Sequence, residues 1–223
     1  MQLENYWICF EGAIPEHICQ KIIDHGCEKE VDKARIGTNE NLDQLLKIEN
    51  PTPEQTQEIS RLKSKIKKTR NSKVSWMSEP WVHRWFNPFI LESNRLNWNF
   101  KIDENEDYQF TIYEGDKKQH YDWHKDMFLP YPETHRNKKW RKKVRKLSAI
   151  IQLTDPSEYE GGDFWINYGD DGPNKKQKEI LVEGFKKRGS VLVFPSFLYH
   201  KVEPVTFGTR YSLVSWTLGD SFR

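Results

Sequence analysis

The spacing of apolar residues divides the chain into two regimes. In the first hundred positions most of the pattern is helical. After Pro15, Ile18, Cys19, Ile22 and Ile23 recur at helical intervals and Gly26 stands at the stop. Leu42, Leu45 and Leu46, then Ile59, Leu62 and Ile66, do the same on either side of Asn50-Pro51-Thr52-Pro53, which predicts a helical hairpin over Asn39 to Lys68. Thr52, with Gln55 three residues on and Pro53 between them, gives the second helix a start signal. Glu79-Pro80-Trp81 opens a further helix through Trp85, Phe89 and Leu96, with Pro88 expected to kink or split it. Leu3 to Phe10 and Lys73 to Met77 read as short strands.

From Tyr108 the period becomes two. Tyr108 to Tyr113 alternates, with one face expected inward; Leu147 to Thr154, Phe164 to Tyr168, Ile180 to Val182, Gly189 to Pro195 and Thr209 to Leu218 read as further strands. Turn signals separate them at Asp155-Pro156, Glu160-Gly161-Gly162-Asp163 and Asp170-Asp171-Gly172-Pro173-Asn174. Many short strands without β-α alternation predict a mainly β fold with flanking helices (α+β): a cupin-like double-stranded β-helix, or jelly roll, with the N-terminal helices packed outside. A chain of 223 residues fits one domain. Residues 1–98 would give helical support, with a charged helical insertion at about 37–70, and residues 99–223 the jelly-roll core.

Composition adds few constraints. Aromatics are plentiful, with nine Trp, nine Tyr and twelve Phe, and Lys plus Arg exceeds Asp plus Glu by two, so no global field steers the chain towards nucleic acid. Cys9, Cys19 and Cys27 have no metal-ligand spacing and are odd in number, which suggests reduced thiols and a cytoplasmic setting. No apolar run is long enough for a bilayer. His17 and His25 are read as surface residues.

The candidate chemistry lies in Tyr121-Asp122-Trp123-His124-Lys125-Asp126, in Phe194 to His200, and in Gly208-Thr209-Arg210-Tyr211-Ser212. Strand alternation aims His124 and Asp126 to one side, and an antiparallel barrel can return His200 beside them. Two histidines and one carboxylate suit a non-haem Fe(II) centre with open positions. Arg210 follows on the next strand as a two-pronged anchor for a carboxylate.

This H-x-D, the distal His200, Arg210, and the flanking Tyr113-Glu114-Gly115 and Glu160 to Phe164 together resemble Fe(II)/2-oxoglutarate dioxygenases of the prolyl 4-hydroxylase type, over roughly Tyr108 to Gly219. Animal collagen prolyl 4-hydroxylases carry Lys at the position of Arg210, so the resemblance is nearer to oxygen-sensing and microbial prolyl hydroxylases. It implies Fe(II) on His124, Asp126 and His200; 2-oxoglutarate on Arg210, with Ser212, Tyr113 and, last in rank, Gln152; O2 as co-substrate; and ascorbate as a possible accessory. It further implies hydroxylation of a C–H bond, with a prolyl residue of a protein or peptide as the leading substrate. An oxygenase acting on nucleic acid or a small metabolite, and a cupin-like metal-binding module without turnover, stay open as alternatives.

Trp216 shares the strand face of Arg210 and is expected to wall the site. Asp122 shares the parity of His124, as a substrate contact or as a solvated carboxylate. Tyr121 has the opposite parity and faces outward unless a bulge intervenes. Phe128 to Lys146 reads as a long cationic loop (basic residues within 136–146), docking an acidic or phosphate-bearing partner or merely solvated; within it, Trp140 either stacks on substrate or anchors the loop. The charged hairpin is read as a solvated insertion, with a substrate-contacting lid as the other reading.

Overall fold

The computed structural model describes residues 3–34, 39–169 and 176–222. The first residues of the expected insertion and the Asp170 to Asn174 turn lie outside them. Strands β1 (Ile8–Phe10), β2 (Asp32–Lys33), β3 (Arg70–Asn71) and β4 (Lys73–Met77) accompany helices α1 (Glu16–Glu28), α2 (Asn39–Leu45), α3 (Pro53–Thr69) and α4 (Pro80–Ser93). There follow β5 (Tyr108–Glu114), β6 (His120–His124), β7 (Lys143–Gln152), β8 (Tyr159–Gly161), β9 (Phe164–Asn167), β10 (Glu179–Leu181), β11 (Val191–Pro195), β12 (Tyr199–Val202) and β13 (Val205–Asp220).

The strands form two antiparallel sheets. The major one runs β1-β11-β7-β13-β5-β4-β2, with β8 on the side of β13; the minor one runs β10-β9-β12-β6-β3. This is the expected jelly roll, and its major sheet is buried on both faces. Tyr108, Phe110 and Ile112 of β5, Leu147, Ala149 and Ile151 of β7, and Leu213 of β13 face outward to a core shared with Cys19 and Ile22 of α1 and Val82, Phe86 and Ile90 of α4. Contact there is close: a Cβ on Gly26 of α1 would fall 2.5 Å from the Phe110 ring. The intervening residues point between the sheets, where Ile150, Phe164, Ile166, Phe194 and Val202 form a second core.

Several local expectations hold. Thr52 and Gln55 form a reciprocal capping box at α3, with Thr52 N–H to Gln55 Oε1 at 2.8 Å and Gln55 N–H to Thr52 Oγ1 at 3.3 Å. The expected split at Pro88 does not occur: α4 continues through it to Ser93, then widens into a π turn over Asn94–Trp98. The cationic loop is shorter than expected, because β7 begins at Lys143 and takes Arg145 and Lys146 into a buried strand. No helix among the described residues is long and apolar enough to cross a membrane.

Glu79, just before α4, ties that helix to α1: its carboxylate lies 2.7 Å from His25 Nε2 and also bonds Lys29. Burial alone would raise its pKa, but the bonds from Lys29 and His25 outweigh that and hold it down at about 2. A depressed carboxyl contributes stability that is complete above its unfolded value near 4.5 and is lost as pH falls towards about 2. Glu79→Gln should therefore lower the thermal midpoint at pH 7, by a loss of about 1–3 kcal/mol. In paired melts from pH 7 to pH 3 the gap between variant and parent should narrow; a constant gap would contradict this linkage.

Candidate metal and 2-oxoglutarate site

His124 ends β6 and His200 lies in β12; antiparallel pairing sets the two directly opposite each other. Asp126 follows β6, held in place because both its own N–H and that of Met127 donate to the Ser196 carbonyl, at 3.0 and 2.9 Å. The three side chains converge between the sheets, with candidate ligand atoms all within 4.8 Å of one another. Asp126 Oδ1 lies 3.8 Å from His124 Nε2, and Asp126 Oδ2 lies 3.4 Å from His200 Nε2.

The surroundings orient these groups and set the charge of two of them, His124 and Asp126. His124 Nδ1–H donates to the Asp122 carbonyl at 2.8 Å and His200 Nδ1–H to the Leu198 carbonyl at 3.0 Å, so each ring is oriented through Nδ1 with Nε2 turned to the centre. Burial, with His200 close by, pushes His124 well below its usual pKa. Burial would raise Asp126, but its neighbours His200, His124 and Arg145 outweigh that and bring it to about 2, an ionised carboxylate. Ser148 Oγ–H completes the support, donating to Asp126 Oδ2 at 2.7 Å, with Ser196 Oγ at 2.9 Å.

Across the cavity, β13 and β5 present a polar face. Arg210 pairs with Tyr113 and Ser212 with Thr111, and Val214 and Trp216 continue the row. Arg210 is 2% exposed, and its Nη1 is buried without a hydrogen-bond partner. A buried guanidinium with an unsatisfied N–H is costly unless an anion meets it. Gly162, at φ +64°, makes room for this side chain: a Cβ there would lie 2.9 Å from Arg210 Cδ. Burial raises the Tyr113 pKa, so its phenol stays neutral. On the far side of Arg210 a cavity of about 140 Å³ includes Gln152, Tyr159 and Lys186.

Some sequence expectations change. The β6–β12 register shifts between His200 and Val202, so Val202 faces Tyr121 rather than Asp122. This bulge turns Tyr121 inward, where its ring stacks on His124 with centroids 3.3 Å apart. Asp122 is correspondingly exposed and does not line the cavity; its carboxylate accepts from Trp123 N–H, and its contribution to the site is the carbonyl that orients His124. Trp140 does not reach the cavity either: it stacks on His135 at 5.3 Å and packs near Tyr131 at 5.5 Å, anchoring the loop. Gln152 Nε2 is committed to the Thr154 carbonyl and the Tyr159 hydroxyl, which leaves only a buried acceptor, Oε1, and no donor for a carboxylate. Trp216 does wall the site.

Two charged groups were missed. Arg145 holds Glu106 in a two-pronged ion pair, at 2.7 and 2.6 Å, and lies 3.8 Å over the Trp216 ring. Arg70 also lines the cavity. Neither carried a sequence motif of its own; the signal available for Arg145 was its place two residues ahead of the apolar run that begins at Leu147.

Residues 108–218 match the 2OG-Fe(II) oxygenase superfamily. A PKHD-type hydroxylase of Gloeothece citriformis is 44% identical over 77 residues, 34% of this chain and 30% of the relative. The match thus spans less than a third of that relative's length. Among solved structures, a Trichoplax adhaerens prolyl hydroxylase in complex with a hypoxia inducible factor oxygen degradation domain peptide aligns at TM-score 0.59 and 14% identity, over 96% of this chain and 84% of that one. SnoN, a non-heme alpha ketoglutarate dependent epimerase from nogalamycin biosynthesis, aligns equally well at 0.59 and 12% identity, over 97% and 79%. Identities this low establish the shared fold and leave substrate open.

The outer contacts of the centre can be tested without substrate. Ser148→Ala removes a hydrogen bond to Asp126 and leaves the apolar packing unchanged, so metal affinity should fall about 10- to 100-fold while the melting profile is retained. Metal titration of variant and parent measures this; equal affinities would show that Ser148 does not support the centre. With ligand set, buried arginine, jelly roll and family pattern all converging on the same segment, residues 108–218 belong to the 2OG-Fe(II) oxygenase superfamily.

Proposed function

We propose that the chain is an Fe(II)- and 2-oxoglutarate-dependent dioxygenase that hydroxylates a C–H bond of a prolyl residue in a protein or peptide. One observation carries the co-substrate assignment: the buried Arg210 guanidinium, with Nη1 unsatisfied, lies in the same cavity as His124, Asp126 and His200. The residues fit the metal, because two imidazole Nε2 atoms and an ionised carboxylate converge there, each imidazole held through its Nδ1. Bound there, Fe(II) would supply the oxygen chemistry by which 2-oxoglutarate, O2 and R–H become succinate, CO2 and R–OH.

The protein's part is binding and orientation. Arg210 would hold the distal carboxylate of 2-oxoglutarate through its fork, with the Ser212 hydroxyl on the same strand face as a further donor. The Tyr113 hydroxyl, kept protonated by burial, can donate to the same co-substrate. Gln152 is better suited to accept from a neighbour than to touch that anion. Trp216, clamped by the Arg145–Glu106 pair, and Tyr121, stacked on His124, form aromatic walls near the metal ligands. Such walls suit a saturated ring. Support for a peptide comes from the Trichoplax neighbour, whose complex contains one; ascorbate would serve only as an external reductant.

The cationic loop does not favour nucleic acid. Lys139 pairs with Glu104 at 2.6 Å and Lys142 with Glu133 at 2.9 Å, while Arg141 Nε donates to the His135 carbonyl. Much of its charge is met within the protein, leaving less for phosphates.

Arg210→Ala should raise the 2-oxoglutarate concentration needed for half-maximal succinate release by more than about 100-fold, a loss on the order of 3 kcal/mol. Arg210→Lys, which keeps the charge and loses the fork, should fall between. If both variants bound 2-oxoglutarate as the parent does, Arg210 would not be its anchor. The substrate reading is tested by mass spectrometry of proline-containing peptides incubated with enzyme, Fe(II), 2-oxoglutarate and O2. A gain of one oxygen on proline supports it, and oxidised nucleobases with unmodified peptides would replace it.

A further inference from the structure

The charged helical insertion ends on a residue that enters the cavity. After α3, β3 adds to the edge of the minor sheet with Arg70 opposite Tyr121 and Asn71 opposite His120. The chain then crosses to the major sheet, where β4 pairs with β5, Val74 opposite Thr111 and Trp76 opposite Gln109. Segment 70–77 therefore joins the two sheets along one side of the cavity, and Arg70, Ser72, Val74 and Trp76 have the same strand parity. Its ends differ. Arg70 is 8% exposed, whereas Trp76 is 46% exposed and its ring lies 6.2 Å from that of Trp216.

Arg70 is held in a defined orientation. Its Nε donates to Ser72 Oγ at 3.1 Å, and its guanidinium carbon lies 4.3 Å over the Tyr121 ring, the ring that stacks on His124. It lines the same cavity as His124, Asp126, His200 and Arg210. The docking of the insertion is itself supported from β6, since His120 Nε2 meets the Lys68 carbonyl at 2.8 Å. The cavity thus has two guanidinium groups, on different sheets. Arg210 extends from the major sheet beside Tyr113; Arg70 extends from the minor sheet beside Tyr121.

We propose that Arg70 is a substrate-binding residue, which takes an sp2 oxygen of the substrate, a carbonyl or carboxylate adjoining the carbon to be oxidised. This rests on the reading of the cavity as an oxygenase centre. A guanidinium donates in a flat fork that matches such an oxygen, and fixing its orientation on Tyr121 and Ser72 lowers the entropy lost on binding. The exposed Trp76 and the buried Trp216 give the remainder of the substrate an apolar surface at the outer end of the same wall. The α2–α3 insertion is then a specificity element, because it delivers Arg70 to the site.

The test uses the chain loaded with Zn(II), which has no redox chemistry, and with 2-oxoglutarate, so that binding is read by calorimetry without turnover. N-acetylproline and N-acetylprolinamide serve as probes, one with a free carboxylate and one with a neutral carbonyl. Arg70→Ala should weaken whichever probe uses this contact by about 10- to 100-fold. Arg70→Lys should recover part of the loss for the acid and little for the amide, which identifies the oxygen recognised. The loss should exceed any change in affinity for Zn(II) or 2-oxoglutarate in the same variants. Equal probe affinity in parent and Arg70→Ala, binding of neither probe to the parent, or a parallel loss of metal, 2-oxoglutarate and probe would each overturn the proposal; the last would make Arg70 a packing residue of Tyr121. Uncoupled succinate release by the Fe(II)-loaded parent tests the oxygenase reading separately.

Discussion

The site depends on the antiparallel pairing of β6 with β12. That register sets His124 opposite His200, and its bulge one step away decides which neighbours face the metal ligands. A slip of one residue between these strands would put the two imidazoles on opposite faces of the sheet. The pairing is held from both directions. β12 is hydrogen-bonded on its far side to β9, with Phe164 and Ile166 packed in the core between the sheets, and β3 covers the outer edge of β6. The insertion that forms β3 thus protects the ligand-bearing strand as well as contributing Arg70.

The major sheet solves a second problem, the burial of polar groups. Its outward face is apolar and is covered by α1 and α4, so its inward face can carry Arg210, Ser212, Thr111, Gln109 and Ser148 at little risk to stability of the helical core. Of these, the groups without partners are informative. Buried polar atoms are ordinarily hydrogen-bonded; among the described residues, Arg210 Nη1 and Gln152 Oε1 are two of several that are not. The donor has an evident use in a carboxylate, whereas the acceptor does not, which separates two residues that sequence reasoning had grouped together.

Much of this was legible in the sequence. His124, Asp126, His200 and Arg210 could be picked out because side-chain alternation and their spacing are one-dimensional properties, and the inward placement of Ser212 and Trp216 follows from their even distance from Arg210. The capping box at Thr52 was legible for the same reason: it is closed within four residues. Tyr121 and Asp122 exchanged roles because a bulge is fixed by the partner strand and leaves no mark in local alternation. Arg145 looked like part of a cationic loop; only the fold places Glu106 beside it. Arg70 closed a basic helix in sequence, and its entry into the cavity depends on β3 pairing with β6, a contact between segments about fifty residues apart. On β5 the expectation of a single inward face missed that helices would cover the other, so both faces are buried.

The most direct measurement of the central claim is anomalous diffraction at the iron edge from crystals grown without oxygen in Fe(II) and 2-oxoglutarate. One iron peak is expected within bonding distance of His124 Nε2, an Asp126 carboxylate oxygen and His200 Nε2, with 2-oxoglutarate density running from it to the Arg210 guanidinium. An iron peak elsewhere, or 2-oxoglutarate bound without contact to Arg210, would contradict it.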